Sequence, residues 1–326
     1  MTTPLWWLAR SRRPILVGPW TSEMGFEVLY WLPFLEQLRH RYHIQPDRLF
    51  AVTRGGAGAW YGFGHTVELY DYVPAADLRV SALASSQAKA SIKQLGMTPW
   101  ERRLMALLAE RLGLRRYHVL HPSAMYQALD GWWGPQTIGF ASAMHHLKFM
   151  PIPTPLVPVG LTLPEQFVAV RWYARPTWPL REDLLDWTHA MVQVIAQTTP
   201  VVILRCGAYL DDHMDFPAPS GPNITVVAAE PWRENLAVQS AVLKRASAFV
   251  GTWGGMAQLA VRLGIPTAAF FEQWHSVSYA HRTLTEWLAM QQKTPLFVGR
   301  PHDAEFARGV LPQAIPLPEL PRGSSS

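Results

Sequence analysis

Cysteine is almost absent from this sequence. The 326-residue chain contains one cysteine, Cys206, so no disulfide can form within it and a cysteine-rich zinc site is excluded. Proteins without disulfides are typical of reducing compartments, and we therefore expect a cytoplasmic protein. The arginines of residues 1–13 follow the apolar stretch, which is the wrong order for a signal peptide. No run of about 18 apolar residues occurs, so the sequence predicts no membrane-spanning helix.

Blocks of like charge are also missing. The net charge is +5, but the lysines and arginines are dispersed, and the densest cluster is Arg10, Arg12 and Arg13. Such clusters are too short to form a polybasic arm, so we expect no nucleic-acid partner. The positive charge is compatible with an anionic small substrate, and it leaves peripheral association with a membrane surface open.

The chain lacks several common nucleotide-binding and catalytic motifs. It contains no G-x-G-x-x-G, which argues against a dinucleotide dehydrogenase, and neither a P-loop nor a G-x-S-x-G occurs. Asp211, Asp212, His213 and Asp215 look like metal ligands, but no further ligand pattern accompanies them. We therefore expect a solvated loop at these residues and no bound metal ion.

The sequence is rich in tryptophan. It has 15 tryptophans, and 49% of its residues are hydrophobic against 16% charged, which is typical of a packed globular protein. A tryptophan ring either fills a core or serves as a flat platform for a sugar or a base. Core filling is the commoner use of any single ring.

A proline-rich stretch divides the chain. Residues 149–166 read FMPIPTPLVPVGLTLPEQ, with prolines at 151, 153, 155, 158 and 164. Repeated proline excludes a helix and weakens strand pairing, which is typical of an extended connector. We predict an N-terminal domain over 1–150, a linker over 151–166, a C-terminal domain over 167–311 and a flexible tail over 312–326.

Apolar runs alternate with helical patterns in the C-terminal domain. The predicted strands cover residues 167–170, 201–204, 224–227, 248–250 and 267–271, and the predicted helices cover 184–196, 236–246 and 256–263. This alternation predicts a doubly wound parallel sheet.

The N-terminal domain has fewer clear elements. They are strands over 15–17, 49–52 and 117–120 and helices over 28–38 and 99–112. Pro33 predicts a kink or a late start in the first helix, and residues 121–147 have no assignable pattern. Together the two domains predict an α/β fold with two Rossmann-like lobes.

Polar residues and glycines follow the predicted strands of the C-terminal domain, where ligands of doubly wound sheets bind. These residues are Arg171, Arg175, Arg205, Gly207, Gly254 and Gly255. Guanidinium groups match phosphate oxygens, and the unpaired amides of a helix start favour an anion. The alternatives are a simple tight turn at the glycines and surface salt bridges for the arginines. We predict an anion site at these strand ends.

The segment 234–271, ENLAVQSAVLKRASAFVGTWGGMAQLAVRLGIPTAAFF, resembles the sugar-nucleotide lobe of bacterial heptosyltransferases and of the α1,6-fucosyltransferase group. The resemblance implies a GT-B-type fold, in which two Rossmann-like lobes face each other across a cleft. It also implies that Arg171 binds the β-phosphate of a nucleotide-sugar donor and that Thr252, Gly254 and Gly255 line the phosphates. Gln258 stands where heptosyltransferases tend to carry a histidine.

The stretch GPWTSEMGFE, residues 18–27, resembles the first strand–loop–helix of heptosyltransferases, in which an acidic residue beside a glycine serves as base. Gly18 and Gly25 then belong to the substrate-binding loop. An inverting transfer needs a base for the proton of the acceptor hydroxyl. Glu23 is either that base or a charge at a helix start. Glu27 is either a second candidate base or an anchor for the loop.

The sequence therefore predicts an inverting, metal-independent glycosyltransferase of bacterial glycan or glycoconjugate synthesis. It would move a sugar from a nucleotide-diphosphate sugar to a glycan or small-molecule acceptor, without a further cofactor. We expect the acceptor near Glu23 and the glycine-rich loop over 55–64. Two alternatives remain, a nucleotide-sugar epimerase of GT-B fold and a non-catalytic nucleic-acid-binding protein.

Overall fold

Two parallel sheets organise the chain. The computed structural model describes residues 5–74, 77, 94–133, 137–175, 177–205, 214–227 and 232–309. Unit 1 comprises Met1–Thr154 together with Pro231–Ala237, and unit 2 comprises Pro155–Glu230 and Val238–Ser326. The division after Thr154 falls within residues 151–166, which contain neither helix nor strand. The predicted tail over 312–326 lies outside the described residues.

Unit 1 contains a four-stranded parallel sheet in the order β3-β2-β1-β4. The strands are β1 (Ile15–Val17), β2 (Leu49–Thr53), β3 (His65–Glu68) and β4 (His118–Leu120). Ile15 pairs with Leu49 on one side and with His118 on the other. Every residue of β1 is buried, which explains why this central strand is wholly apolar.

The described helices of unit 1 include five that the sequence pattern did not reveal. They are α1 (Leu5–Arg10), α2 (Met24–Phe26), α3 (Leu32–Arg41), α4 (Pro99–Arg111), α5 (Ser123–Ala128), α6 (Asp130–Trp133) and α7 (Phe140–Met144). Helices α5 to α7 lie within the region over 121–147 that had no assignable pattern, and each is too short to show a helical period. No helix in the described part of the chain is long and apolar enough to cross a membrane.

Pro33 is accommodated by a π turn. Residues Glu27–Trp31 form a π-helix between α2 and α3, and the amide of Leu32 donates to the carbonyl of Glu27. Pro33 then occupies the first turn of α3. Amides in a first turn need no partner within the helix, so the missing amide hydrogen of proline costs no hydrogen bond there. The helical segment thus starts before Pro33, at Met24, and the irregularity predicted at this proline takes the form of the π turn that precedes α3.

Unit 2 contains a six-stranded parallel sheet in the order β12-β11-β10-β5-β7-β9. The strands are β5 (Val168–Arg171), β7 (Val201–Leu204), β9 (Ile224–Val227), β10 (Ala248–Thr252), β11 (Thr267–Phe270) and β12 (Leu296–Gly299). The short strands β6 (Tyr173–Ala174) and β8 (Met214–Asp215) form a separate antiparallel ribbon. The helices are α8 (Glu182–Ala196), α9 (Asn235–Arg245), α10 (Gly255–Arg262) and α11 (Tyr279–Gln292), and the first three residues of α9 belong to unit 1.

The sheet of unit 2 is doubly wound. The chain starts at central β5, runs outward through β7 to β9, and then returns to the other side of β5 for β10, β11 and β12. This order confirms the predicted α/β class with parallel, Rossmann-like sheets. The reversal between β5 and β10 is the topological switch point, beyond whose carboxyl ends ligands of such sheets bind.

An aromatic cluster fills the core of unit 2. Trp187 is 1% exposed, and its ring lies 5.0 Å from that of Phe270, 5.6 Å from that of Trp172 and 5.8 Å from that of Trp178. Helix α8 presents Trp187 to the sheet, and β11 supplies Phe270. These tryptophans serve packing, which was the commoner of the two uses considered above.

Replacing Trp187 with alanine is expected to lower the free energy of unfolding by about 3–5 kcal/mol, because it leaves a cavity inside this cluster. Trp274→Ala is the matched control, since Trp274 is 53% exposed and belongs to the same unit. In the control, the free energy of unfolding should fall by at most about 1 kcal/mol. Urea unfolding followed by circular dichroism measures both, and equal losses would contradict the core assignment.

Candidate functional site

The switch point of unit 2 gathers charged and polar side chains from β5, β6 and β10. We call Arg171, Tyr173, Arg175, Thr252 and Gly254 the switch-point cluster. Gly251 of β10 pairs with Arg171 of β5, so the strands end side by side. The residues after both ends therefore lie where a doubly wound sheet binds its ligand.

Arg171 is the last residue of β5, and its guanidinium is held inside the unit. It is 6% exposed, and its Nη2 lies 3.3 Å from Oδ1 of Asp215. Its Nη1 donates to Oε1 of Gln239 at 3.2 Å, and its Cζ lies 5.1 Å from the ring centre of Tyr173. Arg171 thus anchors the ribbon strand β8 through Asp215 and backs the ring of Tyr173.

Thr252 fastens the chain after β5 to the end of β10. Its hydroxyl accepts from the amide of Tyr173 at 3.1 Å and donates to the carbonyl of the same residue at 3.2 Å. Thr252 is fully buried, so its hydroxyl fixes the backbone of the cluster.

Gly254 is where Tyr173 and Arg175 approach the start of helix α10. A Cβ at this position would overlap the hydroxyl of Tyr173 and the guanidinium of Arg175. Nη1 of Arg175 donates to the carbonyl of Trp253 at 3.2 Å, which orients the half-buried guanidinium beside this turn. Helix α10 begins at Gly255, and the first amides of a helix carry a partial positive charge. The arrangement can bind an anion.

The other predicted residues of unit 2 lie around this cluster. Gln258 is buried in α10, and its amide donates to the carbonyl of Gly254 at 3.0 Å. Arg205 follows β7 and is half-buried, lining a small pocket with Asp215. Gly207 lies outside the described residues.

The predicted metal-like loop is only partly described. Asp211, Asp212 and His213 lie outside the described residues, whereas Asp215 is the partner of Arg171. Within the described ranges, no group of three or more His, Cys, Asp or Glu side chains could hold a metal ion.

In unit 1, the central strand β1 ends at Val17 and leads into a loop over 18–22. Gly18 has a φ of +117°, and a Cβ there would lie 2.8 Å from the carbonyl oxygen of Val52. Its amide donates to the carbonyl of Leu120 at 2.9 Å, which joins the loop to β4. Gly18 therefore has a structural reason to be glycine, and Gly25 is buried in α2.

Glu23 stands directly before α2 and is half-buried. Its side chain makes no capping hydrogen bond with the first turn of that helix. Glu23 thus makes no hydrogen-bonded cap, and both roles considered for it, a base and a charge at a helix start, stay predictions. The residue keeps some exposed surface at the end of the loop.

Glu27 is fully buried, and two side chains contact its carboxyl group. The hydroxyl of Tyr61 donates to Oε1 at 2.8 Å, and Nη1 of Arg54 lies 3.5 Å from Oε2. Burial raises the pKa of Glu27 to about 7, against the opposing effects of Arg54 and Tyr61. These contacts join the π turn to the segment after β2, which favours the anchoring role over that of base.

The glycine-rich loop after β2 contacts a helix start. The amides of Gly55 and Gly56 donate to the carboxylate of Glu68 at 3.0 and 2.8 Å. The carbonyl of Gly55 accepts from the amides of Leu236 and Ala237, at 2.8 and 3.1 Å. Because these bonds satisfy the first turn of α9, this part of the loop has a structural use that the sequence did not suggest.

A buried polar network that the sequence analysis missed lies beside the loop over 18–22. It consists of Gln94, Glu101, His121 and Ser123, each at most 8% exposed. The one available signal was the pattern T-x-x-E at Thr98 and Glu101, which forms a capping box at α4.

Comparison with known proteins finds similarity in structure only. The sequence matches no protein-family model and no curated protein. The TM-score is 0.44 with the iron-containing dodecameric glycosyltransferase TibC from enterotoxigenic E. coli H10407, at 13% identity, covering 79% of this chain and 60% of TibC. The chain thus spans less than two thirds of the length of TibC.

Two further solved structures are heptosyltransferases of E. coli. ADP-heptose LPS heptosyltransferase II has a TM-score of 0.41 at 13% identity, covering 86% of this chain and 99% of that one. WaaC, solved with ADP, has a TM-score of 0.37 at 15% identity, covering 79% and 87%. Because each TM-score is below 0.5, the function is argued below from the site.

Replacing Glu27 with glutamine is expected to remove a pH dependence of stability. The pKa rises from 4.5 to about 7 on folding, so the native state binds this proton more tightly. The resulting stabilisation is present below pH 4.5 and is lost as the pH rises through about 7. The loss corresponds to about 3 kcal/mol.

Urea unfolding of both proteins between pH 4.5 and about pH 8 measures this difference. Relative to the unaltered protein, Glu27→Gln should gain stability as the pH rises. Glu110→Gln, at an exposed carboxylate of the same unit, is the control. Parallel curves for Glu27→Gln and the unaltered protein would show that Glu27 does not titrate in this range.

Proposed function

We propose that this protein is a glycosyltransferase whose donor is a nucleoside-diphosphate sugar bound at the switch-point cluster of unit 2. One observation carries the proposal: Arg175 and the hydroxyl of Tyr173 converge on Gly254 at the start of helix α10. The glycine lets this guanidinium and this hydroxyl lie directly against the backbone, beside the first amides of the helix.

A diphosphate fits this chemistry better than a neutral ligand. The guanidinium of Arg175 offers charge-assisted hydrogen bonds, and the amides at the start of α10 add a partial positive charge. Arg171 is buried with Asp215, so in this proposal it orients Tyr173 and the ribbon, and Arg175 contacts the phosphates. The donor role that the resemblance assigned to Arg171 passes to Arg175.

The proposed reaction is an inverting transfer. Glu23 takes the proton of the acceptor hydroxyl as that oxygen forms a bond to the anomeric carbon. The bond from this carbon to the phosphate oxygen breaks, and the nucleoside diphosphate leaves with the electron pair. Arg175 and the helix amides balance the charge that develops on the leaving group, which supports a reaction independent of added metal.

The acceptor is a glycan or another hydroxyl-bearing molecule of bacterial glycoconjugate synthesis. Glu23 is the preferred base because its carboxylate is half-buried, whereas Glu27 is fully buried and contacted by Tyr61 and Arg54. ADP-linked sugars are the first donors to test, since WaaC is described with ADP.

Arg175→Ala is expected to weaken binding of a nucleoside diphosphate by about 10- to 100-fold, the loss typical of a charged hydrogen bond. Calorimetry with ADP, UDP, GDP, dTDP and CDP, in the presence of EDTA, measures it. Arg245→Ala is the matched control, because Arg245 is exposed at the last turn of α9, before β10 begins. That control should bind as the unaltered protein does.

The absence of binding by all five diphosphates to the unaltered protein would remove the donor assignment. Equal affinities of Arg175→Ala and Arg245→Ala would locate the phosphates elsewhere. Binding that required a divalent metal would contradict metal independence. Salt-sensitive binding of RNA or DNA without nucleotide binding would favour the nucleic-acid alternative.

Glu23→Gln is expected to slow release of nucleoside diphosphate from the bound sugar nucleotide by about 10²- to 10⁴-fold, because the amide accepts no proton. Water serves as acceptor in this assay, and the diphosphate released is quantified by chromatography. Donor affinity should stay unchanged. Full turnover by Glu23→Gln would exclude the base assignment, and conversion of the sugar without diphosphate release would favour the epimerase.

A further inference from the structure

The side-chain amide of Gln94 spans the loop over 18–22. Its Nε2 donates to the carbonyl of Pro19 at 2.8 Å, and its Oε1 accepts from the amide of Thr21 at 3.1 Å. One side chain thus holds the backbone on both sides of Trp20, which is itself fully buried. Two residues after Thr21 comes Glu23, the proposed base.

Gln94 is in turn held by the start of α4. Its Nε2 also donates to Oε1 of Glu101 at 2.7 Å, so both amide hydrogens and the amide oxygen are used. Oε2 of Glu101 accepts from the amide of Thr98 at 2.6 Å. Burial raises the pKa of Glu101, but the hydrogen bonds and charge of its neighbours, His121 first, lower it below the ordinary value overall.

His121 also contacts the carboxylate of Glu101. The amide of Ser123 donates to Nδ1 of His121 at 3.1 Å, which assigns the ring hydrogen to Nε2. That Nε2 lies 3.3 Å from Oε1 of Glu101. The order Ser123, His121, Glu101 resembles a hydrolase triad, but Ser123 is only 1% exposed and its oxygen is unavailable as a nucleophile. The network braces the loop.

Other contacts of the loop come from β2 and the residue after it. The amide of Trp20 donates to the carbonyl of Val52 at 3.0 Å. Nη2 of Arg54 donates to the carbonyl of Ser22. These bonds fix Trp20 and Ser22, whereas Gln94 is the side chain that fixes Pro19 and Thr21.

We propose that Gln94, oriented by Glu101 and His121, is a positioning residue that holds the loop before Glu23 in the geometry needed for proton removal. This inference rests on the proposed function, since it takes Glu23 to be the base. Gln94 touches no reacting atom and acts through the backbone of residues 19–21. A displacement of about 1 Å at a reacting group lowers turnover by about 100-fold.

The first test compares Gln94→Met with Thr98→Ala by hydrogen exchange. Methionine keeps the length of the side chain and removes all of its loop hydrogen bonds. Thr98→Ala is the matched control, because it removes a bond from the same helix start without touching the loop. The amide of Thr21 should exchange at least about tenfold faster in Gln94→Met than in the unaltered protein, and Thr98→Ala should show no such increase.

The second test is a double-mutant cycle on diphosphate release from the donor. Gln94→Met should lower kcat by about 10- to 100-fold in the unaltered background, with donor affinity and KM unchanged. In the Glu23→Gln background it should cause no further loss, because the residue through which it acts is already removed. A general loss of protein stability caused by Gln94→Met would lower kcat by the same factor in both backgrounds.

Equal falls in kcat in both backgrounds, or unchanged exchange at Thr21, would overturn the inference. If Gln94→Met does not fold, Gln94→Asn replaces it, since that amide is one methylene too short to reach both Pro19 and Glu101. Lack of nucleotide binding by the unaltered protein would remove the proposed function, and with it the link to Glu23. Normal binding without the exchange difference would remove only the role of Gln94.

Discussion

The hydroxyl of Thr252 is the link on which the candidate site of unit 2 depends. It joins the end of β10 to both backbone polar groups of Tyr173, where the chain leaves β5. Tyr173 then directs its own hydroxyl towards Gly254, and Arg175 reaches the carbonyl of Trp253. Without this link, the strands would still pair, but Tyr173 would lose both of its backbone hydrogen bonds to the end of β10. A buried hydroxyl that both donates and accepts a hydrogen bond thus sets the geometry of the groups proposed to contact the donor.

Burial separates the charged residues that support each site from those that can act in it. Arg171 is 6% exposed against Asp215, and Glu27 is fully buried against Arg54 and Tyr61. Buried charges of this kind are stable only with a partner, so a ligand would have to compete with a protein group for them. Arg175 and Glu23 keep accessible surface, and this difference favours them for phosphate binding and proton transfer.

The sequence predicted the central strands well, because strands buried on both faces are continuous apolar runs. It missed the edge strand His65–Glu68, whose polar, partly exposed residues have no such signature. It also pointed to the strand ends at which the donor is proposed to bind, but it could not distinguish the buried Arg171 from the more exposed Arg175. Their difference in burial depends on Asp215 and Gln239, which are distant in sequence. The contacts of Gln94 could not be predicted for the same reason. A single glutamine belongs to no sequence motif, and its hydrogen bonds to Pro19 and Thr21 join residues far apart in the sequence.

The two parallel sheets have similar strand orders, and the side chains near their strand reversals differ in charge. In unit 1 the strand order β3-β2-β1-β4 places its reversal between β1 and β4, just as that of unit 2 lies between β5 and β10. Beyond the reversal of unit 1 lie the carboxyl groups of Glu101 and, past the loop, Glu23; beyond that of unit 2 lie arginines and a helix start. A carboxylate suits removal of a proton, and a cationic edge suits a leaving diphosphate. In the proposed reaction, proton removal and departure of the diphosphate thus correspond to one structural position that occurs in both sheets, with different side chains.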